Sequence, residues 1–220
     1  MRPSYETAPE KALWGMIMLD LLKSGGLLMI PIVICGVFAT YIIIERCVYF
    51  SSVKRRDAML KKNLTDALAR KDYSAAEAFC IAAGTPVAQV VQKALSCRSM
   101  QEADMREIVQ TEMDAVVPKF EHNLTLLGTI ANISTLLGLF GTVTGNIKAF
   151  GVLGQGGTMG NPAVLAGAIA EALMTTAGGL FVAIPSLVFH SFFVNRVNHA
   201  VTDMQSMVTT VILQLTGRVH

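Results

Sequence analysis

The stretch "EALMTTAGGLFVAIPSLVFHSFF", residues 171–193, decides how this chain is to be read. It lies within a longer segment, Ala149 to Asn195, that holds no Asp, Lys or Arg, and Glu171 is the only Glu there. A charged side chain at the centre of a bilayer costs about 2.5–3.5 kcal/mol on insertion scales. A carboxylate in so apolar a run needs a wet cavity, a polar partner or a place near the membrane surface. Two threonines, Thr175 and Thr176, and two glycines, Gly178 and Gly179, follow it within three turns of helix.

Working outward, the surrounding apolar run covers about residues 164–194. It is longer than a bilayer requires, so the helix should tilt or project beyond it. A second run, "TLLGTIANISTLLGLFGTVTGNI", covers 125–147 and a first, "LLMIPIVICGVFATYIII", covers 27–44, for helices of about 125–148 and 27–46. Each is long enough to cross a hydrocarbon core. Pro31 and Pro185 fall inside spans, where membrane helices tolerate proline. The first run is followed by its positive charges and shows no small-residue cleavage site, so it reads as a retained anchor and not a secretory signal.

The bulk composition agrees. Of 220 residues 52% are apolar and only 15% charged, against about a quarter charged in a soluble domain. The net charge of +2 gives no reason to expect nucleic acid. Cys35, Cys47, Cys80 and Cys97 have no metal-ligand spacing and read as free thiols. No metal or cofactor site, phosphate-cradling loop, HExxH or serine elbow is present, so the chain does not read as an enzyme. The "GQGG" at 154–157 reads as a short turn.

Arg46, Lys54, Arg55, Arg56, Lys61 and Lys62 follow the first span, whereas the link between the second and third carries no charge. The positive-inside rule then places the N-terminus outside, residues 51–124 in the cytoplasm and the 195–220 tail with them. Unpaired Cys80 and Cys97 suit that reducing compartment.

The cytoplasmic part reads as helical. Ser99 and Glu102 have capping-box spacing, and Met105, Ile108, Val109, Val116, Phe120 and Leu124 fall near one stripe. The pattern runs on into the second span, and Val197, Val201, Met204, Val208 and Val211 continue the third. The expected fold is an all-α membrane protein of one domain, 1–220, with three transmembrane helices, two of them extended into a cytoplasmic helical bundle. The extended stripes can be covered within one chain or by another subunit, and the pattern leaves both open.

On a helix of 3.6 residues per turn, Ser134, Gly138, Gly141 and Gly145 share one face of the second span. Thr135, Thr142 and Asn146 share the adjacent face. In the third span Ala172, Thr176, Gly179 and Ala183 align, with Glu171 and Thr175 beside them. Small faces let membrane helices approach closely, so Gly138, Gly141, Gly145 and Gly179 are helix-packing candidates. Thr142, Asn146, Glu171, Thr175 and Thr176 are candidates for an ion pathway. Glu171 has no nearby cation in sequence. Proton relay, an interfacial glutamate and a structural hydrogen bond all remain open for it. Lys148 is expected to snorkel to the outer surface, and His190 to be an interfacial hydrogen-bonding residue.

"LLGLFGTVTGNIKAF" (136–150) followed by "AGAIAEALMTTAGGLFVAIPSLVFHSFF" (166–193) resembles the MotA/TolQ/ExbB proton-channel family, in its ExbB/TolQ branch. The resemblance implies a pentamer of three-span subunits in the bacterial inner membrane. It implies a dimeric single-span partner of ExbD/TolR type whose aspartate carries the proton, a TonB/TolA-type protein beyond it, and mechanical work driven by proton flow. It implies pore positions at Thr142, Glu171 and Thr176. Thr144 stands where the family often has Trp, and Thr175 adds a hydroxyl that could serve sodium. A non-conducting scaffold and a gliding, flagellar or sodium-driven stator are the alternatives.

Overall fold

The computed structural model describes residues 26–154 and 162–216, and every regular element among them is an α-helix. The order is α1 (Met29–Ala69), α2 (Tyr73–Ala83), α3 (Pro86–Ser96), α4 (Glu102–Glu121), α5 (Leu124–Gly154) and α6 (Pro162–Leu215). Stretches within Met29–Ala69, Glu102–Gly151 and Pro162–Leu215 are long and apolar enough to cross a membrane. The all-α membrane fold read from the sequence is therefore the observed one. Residues 155–157 of the expected "GQGG" turn and the N-terminal segment before residue 26 lie outside the described residues.

The chain divides into two compact units. One comprises the residues up to Ile42 with Leu126–Phe189, and the other comprises Ile43–Thr125 with the chain from His190. In the first unit α1 buries Met29, Ile32, Ala39 and Ile42 at helical spacing. Gly36 lies on the same stripe, and a Cβ there would sit 3.1 Å from Val182 Cγ2 on α6. Outward-facing Val37, Tyr41, Leu136, Ile147, Leu173 and Val188 stay exposed. In water that would be a costly surface; against acyl chains it is the expected one. Pro31 occupies the first turn of α1, where no backbone donor is needed. Helix α6 passes Pro185 without a break.

The second unit is built by helix signals that can be followed residue by residue. Asp72 caps α2 by accepting from the Ala75 N–H at 3.0 Å, and Gly84 ends it at φ +57, a left-handed conformation that glycine adopts without strain. Thr85 then caps α3, accepting from the Ala88 N–H at 3.2 Å, with Pro86 in the first helical position. Helix α3 buries Val87, Val90, Val91, Ala94 and Leu95 on one face.

Three local expectations are corrected here. The Ser99–Glu102 capping box does not form. Ser99 sits in a turn, Gln101 is the N-cap without a side-chain bond, and Glu102 instead binds Arg106 at 2.9 Å along the helix. The α4 pattern does not run unbroken into the second span. It stops at His122, and Asn123 takes φ +60, a conformation that asparagine tolerates better than most residues. Asn123 Nδ2 there donates to Glu45 Oε2 at 3.1 Å. The helices that do continue past their spans are α1 and α6. Most of the predicted stripe residues are covered within the chain: Met105, Val109, Val116, Phe120, Leu124, Val197, Met204, Val208 and Val211 are buried. Ile108 and Val201 are only half-buried.

Candidate functional site

The site begins with the packing of α5 on α6. Contacts march in antiparallel order along the two helices. A Cβ on Gly179 would meet the Ser134 carbonyl oxygen at 2.5 Å and Gly138 Cα at 3.0 Å. One on Gly138 would sit 3.2 Å from Thr176 Cα, and one on Gly141 would sit 2.5 Å from the Thr175 methyl. One on Gly145 would run into Ala172 Cβ. All four glycines therefore stand where the two backbones come closest, and the obstacle at Gly179 is main chain that cannot turn away.

Close approach brings polar groups into reach. Thr176 Oγ1 donates across the helix pair to the Gly138 carbonyl at 2.8 Å and also lies 3.3 Å from the Ala172 carbonyl. Thr175 is buried, its methyl on Gly141, and its hydroxyl donates to the Glu171 carbonyl at 2.8 Å. Both hydroxyls are engaged within this chain. Thr142 is half-buried and donates to Leu139 O on its own helix at 2.6 Å, whereas Asn146 is exposed. The structure thus gathers Thr175, Thr176 and the glycines into one helix contact. Thr142 and Asn146 lie on the less covered side of α5.

The sequence reading missed a partner. Lys148 Nζ donates to Glu171 Oε1 at 2.8 Å. Two expectations are corrected together: Glu171 does have a cation beside it, and the Lys148 ammonium is turned onto that carboxylate. The physical reason is the antiparallel register. Continuing past the Gly145–Ala172 contact by about one turn of α5 carries Lys148 over Glu171. A signal was available in the sequence, since Lys148 and Glu171 are the only two Asp, Glu, Lys or Arg residues between Leu124 and Asn195. Gly26 also belongs to the site. Its φ is +64, and a Cβ there would collide with the Glu171 carboxylate.

The pair is partly open, with the Lys148 side chain 58% and the Glu171 side chain 32% exposed. Where that face meets water, an ion pair of such exposure is worth about 0–1 kcal/mol. Part of the carboxylate is left uncovered by the rest of the chain. Glu171 lies about two and a half turns into α6, toward the same end of the hairpin as Lys148. Among the described residues no group of three or more His, Cys, Asp or Glu side chains is placed to hold a metal ion.

Three apolar spans, glycine-mediated contact of the second and third, and one accessible ion pair between them define a multi-pass helical membrane protein with its polar chemistry on one hairpin. The family model for the MotA/TolQ/ExbB proton channel family matches residues 82–206, and the chain belongs to that family. It is 30% identical over 180 residues to the biopolymer transport protein ExbB of Neisseria gonorrhoeae, covering 76% of this chain and 80% of that one. It is 29% identical over 171 residues to the putative biopolymer transport protein ExbB-like 3 of Synechocystis sp., covering 77% and 81%. It is 40% identical over 86 residues to the Tol-Pal system protein TolQ of Haemophilus influenzae, covering 39% and 37%. These relatives place it in the ExbB/TolQ branch, a transport and channel family and not an enzymatic one. It is a multi-pass inner-membrane protein.

Proposed function

We propose that this chain is the channel-forming subunit of an inner-membrane motor that couples proton motive force to mechanical work on the periplasm or outer membrane. Five copies enclose the helices of an ExbD/TolR-type dimer, which passes force to a TonB/TolA-type protein. The N-terminus is periplasmic and the C-terminus cytoplasmic, in keeping with the basic residues after the first span. The observation that carries this reading is the accessible Glu171–Lys148 pair beside the Thr176 clamp. It is a carboxylate whose counter-charge can be displaced, held at fixed distance from hydroxyls on a stiff helix pair. Thr142 and Asn146, on the more open side of α5, are proposed to face the partner helices, and Glu171 to exchange its proton or cation as they pass.

A second reading, a non-conducting scaffold, draws on Thr175 and Thr176 both being spent on helix packing. The two readings separate in cells that depend on this protein and its single-span partner. The motor reading expects Glu171→Gln to assemble with the partner yet abolish energised work. A Glu171→Gln strain with full work, alongside a disabled Gly179→Leu strain, would establish the scaffold instead.

A further inference from the structure

The second unit holds a cavity of about 470 Å³ lined by Cys47, Phe50, Lys54, Arg55, Phe192 and Arg196, among others, within the size range of ligand pockets. Three cations and no acid line it. A neighbouring cavity of similar volume shares Lys54 and Arg196 and adds Lys61, but Asp57 and Asp203 also line it and offset most of that charge. The first has basic side chains and no carboxylate in its lining.

Its other wall is aromatic. Phe50 stacks on Phe193 with centroids 5.9 Å apart, and Phe192 meets Phe193 edge-on at 5.6 Å. The Arg196 guanidinium lies 5.8 Å from the centre of the Phe192 ring, which fixes a charge at the rim of the apolar wall. In sequence these residues stand where two apolar runs end: Cys47 and Phe50 just past the first, Phe192 and Phe193 closing the third. A membrane–water boundary is where aromatic rings and basic side chains settle together.

We propose that this cavity binds the headgroup of an anionic phospholipid. Its phosphodiester lies among Lys54, Arg55 and Arg196, and the start of its acyl chains lies against Phe50 and Phe192. A free anion would leave the aromatic wall unused, and a zwitterionic lipid would bring its own cation among three others. The proposal needs only the membrane-spanning character of the chain and does not depend on ion conduction.

The test uses the full-length protein in mild detergent, stripped of native lipid and titrated with phosphatidylglycerol or phosphatidylcholine under native mass spectrometry. Phosphatidylglycerol is expected to bind at least about tenfold more tightly, since each basic contact to anionic lipid contributes about a fivefold preference. Lys54→Gln with Arg196→Gln should weaken it about thirtyfold, and Arg55→Gln alone about fivefold, so the single substitution carries the test if the double variant does not fold. Lys62→Gln, an equal charge change away from the cavity, should leave binding unaltered. Equal binding of the two lipids overturns the proposal. So does competition by inorganic phosphate that displaces the lipid completely, which would mark a site for free anions. Variants that lose subunits while keeping phosphatidylglycerol would show that a neighbouring copy fills the cavity, and would overturn it too.

Discussion

Lys148 Nζ stands 2.8 Å from Glu171 Oε1, joining the second and third spans by the two charged residues they contain. Because the pair is partly exposed, its strength and its functional weight need not agree. A weak pair can be opened by a competing cation without unfolding the hairpin, and that is a useful property in a proton pathway.

Lys148→Met should therefore cost little stability, about 0.2–1 kcal/mol, with a similar coupling to Glu171→Gln in a double-mutant cycle. Its effect on ion flux should be much larger, because the carboxylate loses the cation that tunes its exchange. Unfolding in mixed detergent, followed by circular dichroism, measures the first quantity. Proteoliposome flux measures the second. A stability loss of several kcal/mol with unchanged flux would make the pair purely structural.

Gly179 and Gly167 should respond oppositely to the same methyl group. Gly179→Ala drives a Cβ toward the Ser134 carbonyl at 2.5 Å, and overpacking of that kind costs about 1–3 kcal/mol. Nothing lies within 4 Å of a Cβ on Gly167, so Gly167→Ala should be neutral or stabilising by up to about 1 kcal/mol through helix propensity. The same detergent unfolding curve reports both.

Asp57, in the second unit, sets a pH dependence. Burial pushes its carboxyl above the ordinary 3.8, against the opposing effects of a Thr85 hydrogen bond and the Arg56 charge. Its Oδ1 is closed off without a hydrogen-bond partner. The folded chain then holds that proton more tightly than the unfolded chain does, so ionisation costs stability. Stability should rise as pH falls from neutral through the raised value, and the gain is complete below 3.8. Asp57→Asn should be more stable than the parent at neutral pH and should lose this dependence. Thermal unfolding from pH 4 to 8 (roughly the window in which a raised carboxyl titrates) checks both the slope and its disappearance.

Cys80 should be nearly inert. Burial, with a smaller contribution from Glu77, raises its thiol from 9.0 to about 11. That change lowers the thiolate fraction about 100-fold near neutral pH, and the thiolate is the reactive form. Iodoacetamide labelling read by peptide mass spectrometry should modify Cys80 in the folded protein about 100 times more slowly than in denaturant.

Much of this molecule could be read from its residues. Apolar runs of bilayer length, and small residues recurring at three and four, carry their meaning locally, so the spans and the glycine faces needed no tertiary knowledge. The stripe Met105, Val109, Val116, Phe120 was legible for the same reason. The Lys148–Glu171 pair was harder to find, because it exists only once α5 and α6 take a particular antiparallel register, and sequence separation hides it. The break at Asn123 and the idle capping pair at Ser99 were also missed. Local motifs there compete with a turn at Cys97–Met100 and with the Glu45 contact, and a pattern of residue types does not reveal which wins.

Proton flux through the assembled channel is the most direct measurement of what Glu171 does. The full chain is reconstituted with its single-span partner in proteoliposomes, a pH gradient and membrane potential are imposed, and the internal pH is followed. Glu171→Gln should lower the partner-dependent flux by about 100-fold, the scale on which a positioned proton-transfer group acts, with the complex still intact by native mass spectrometry. Flux equal to that of the parent in an intact Glu171→Gln complex would contradict a proton pathway through this carboxylate.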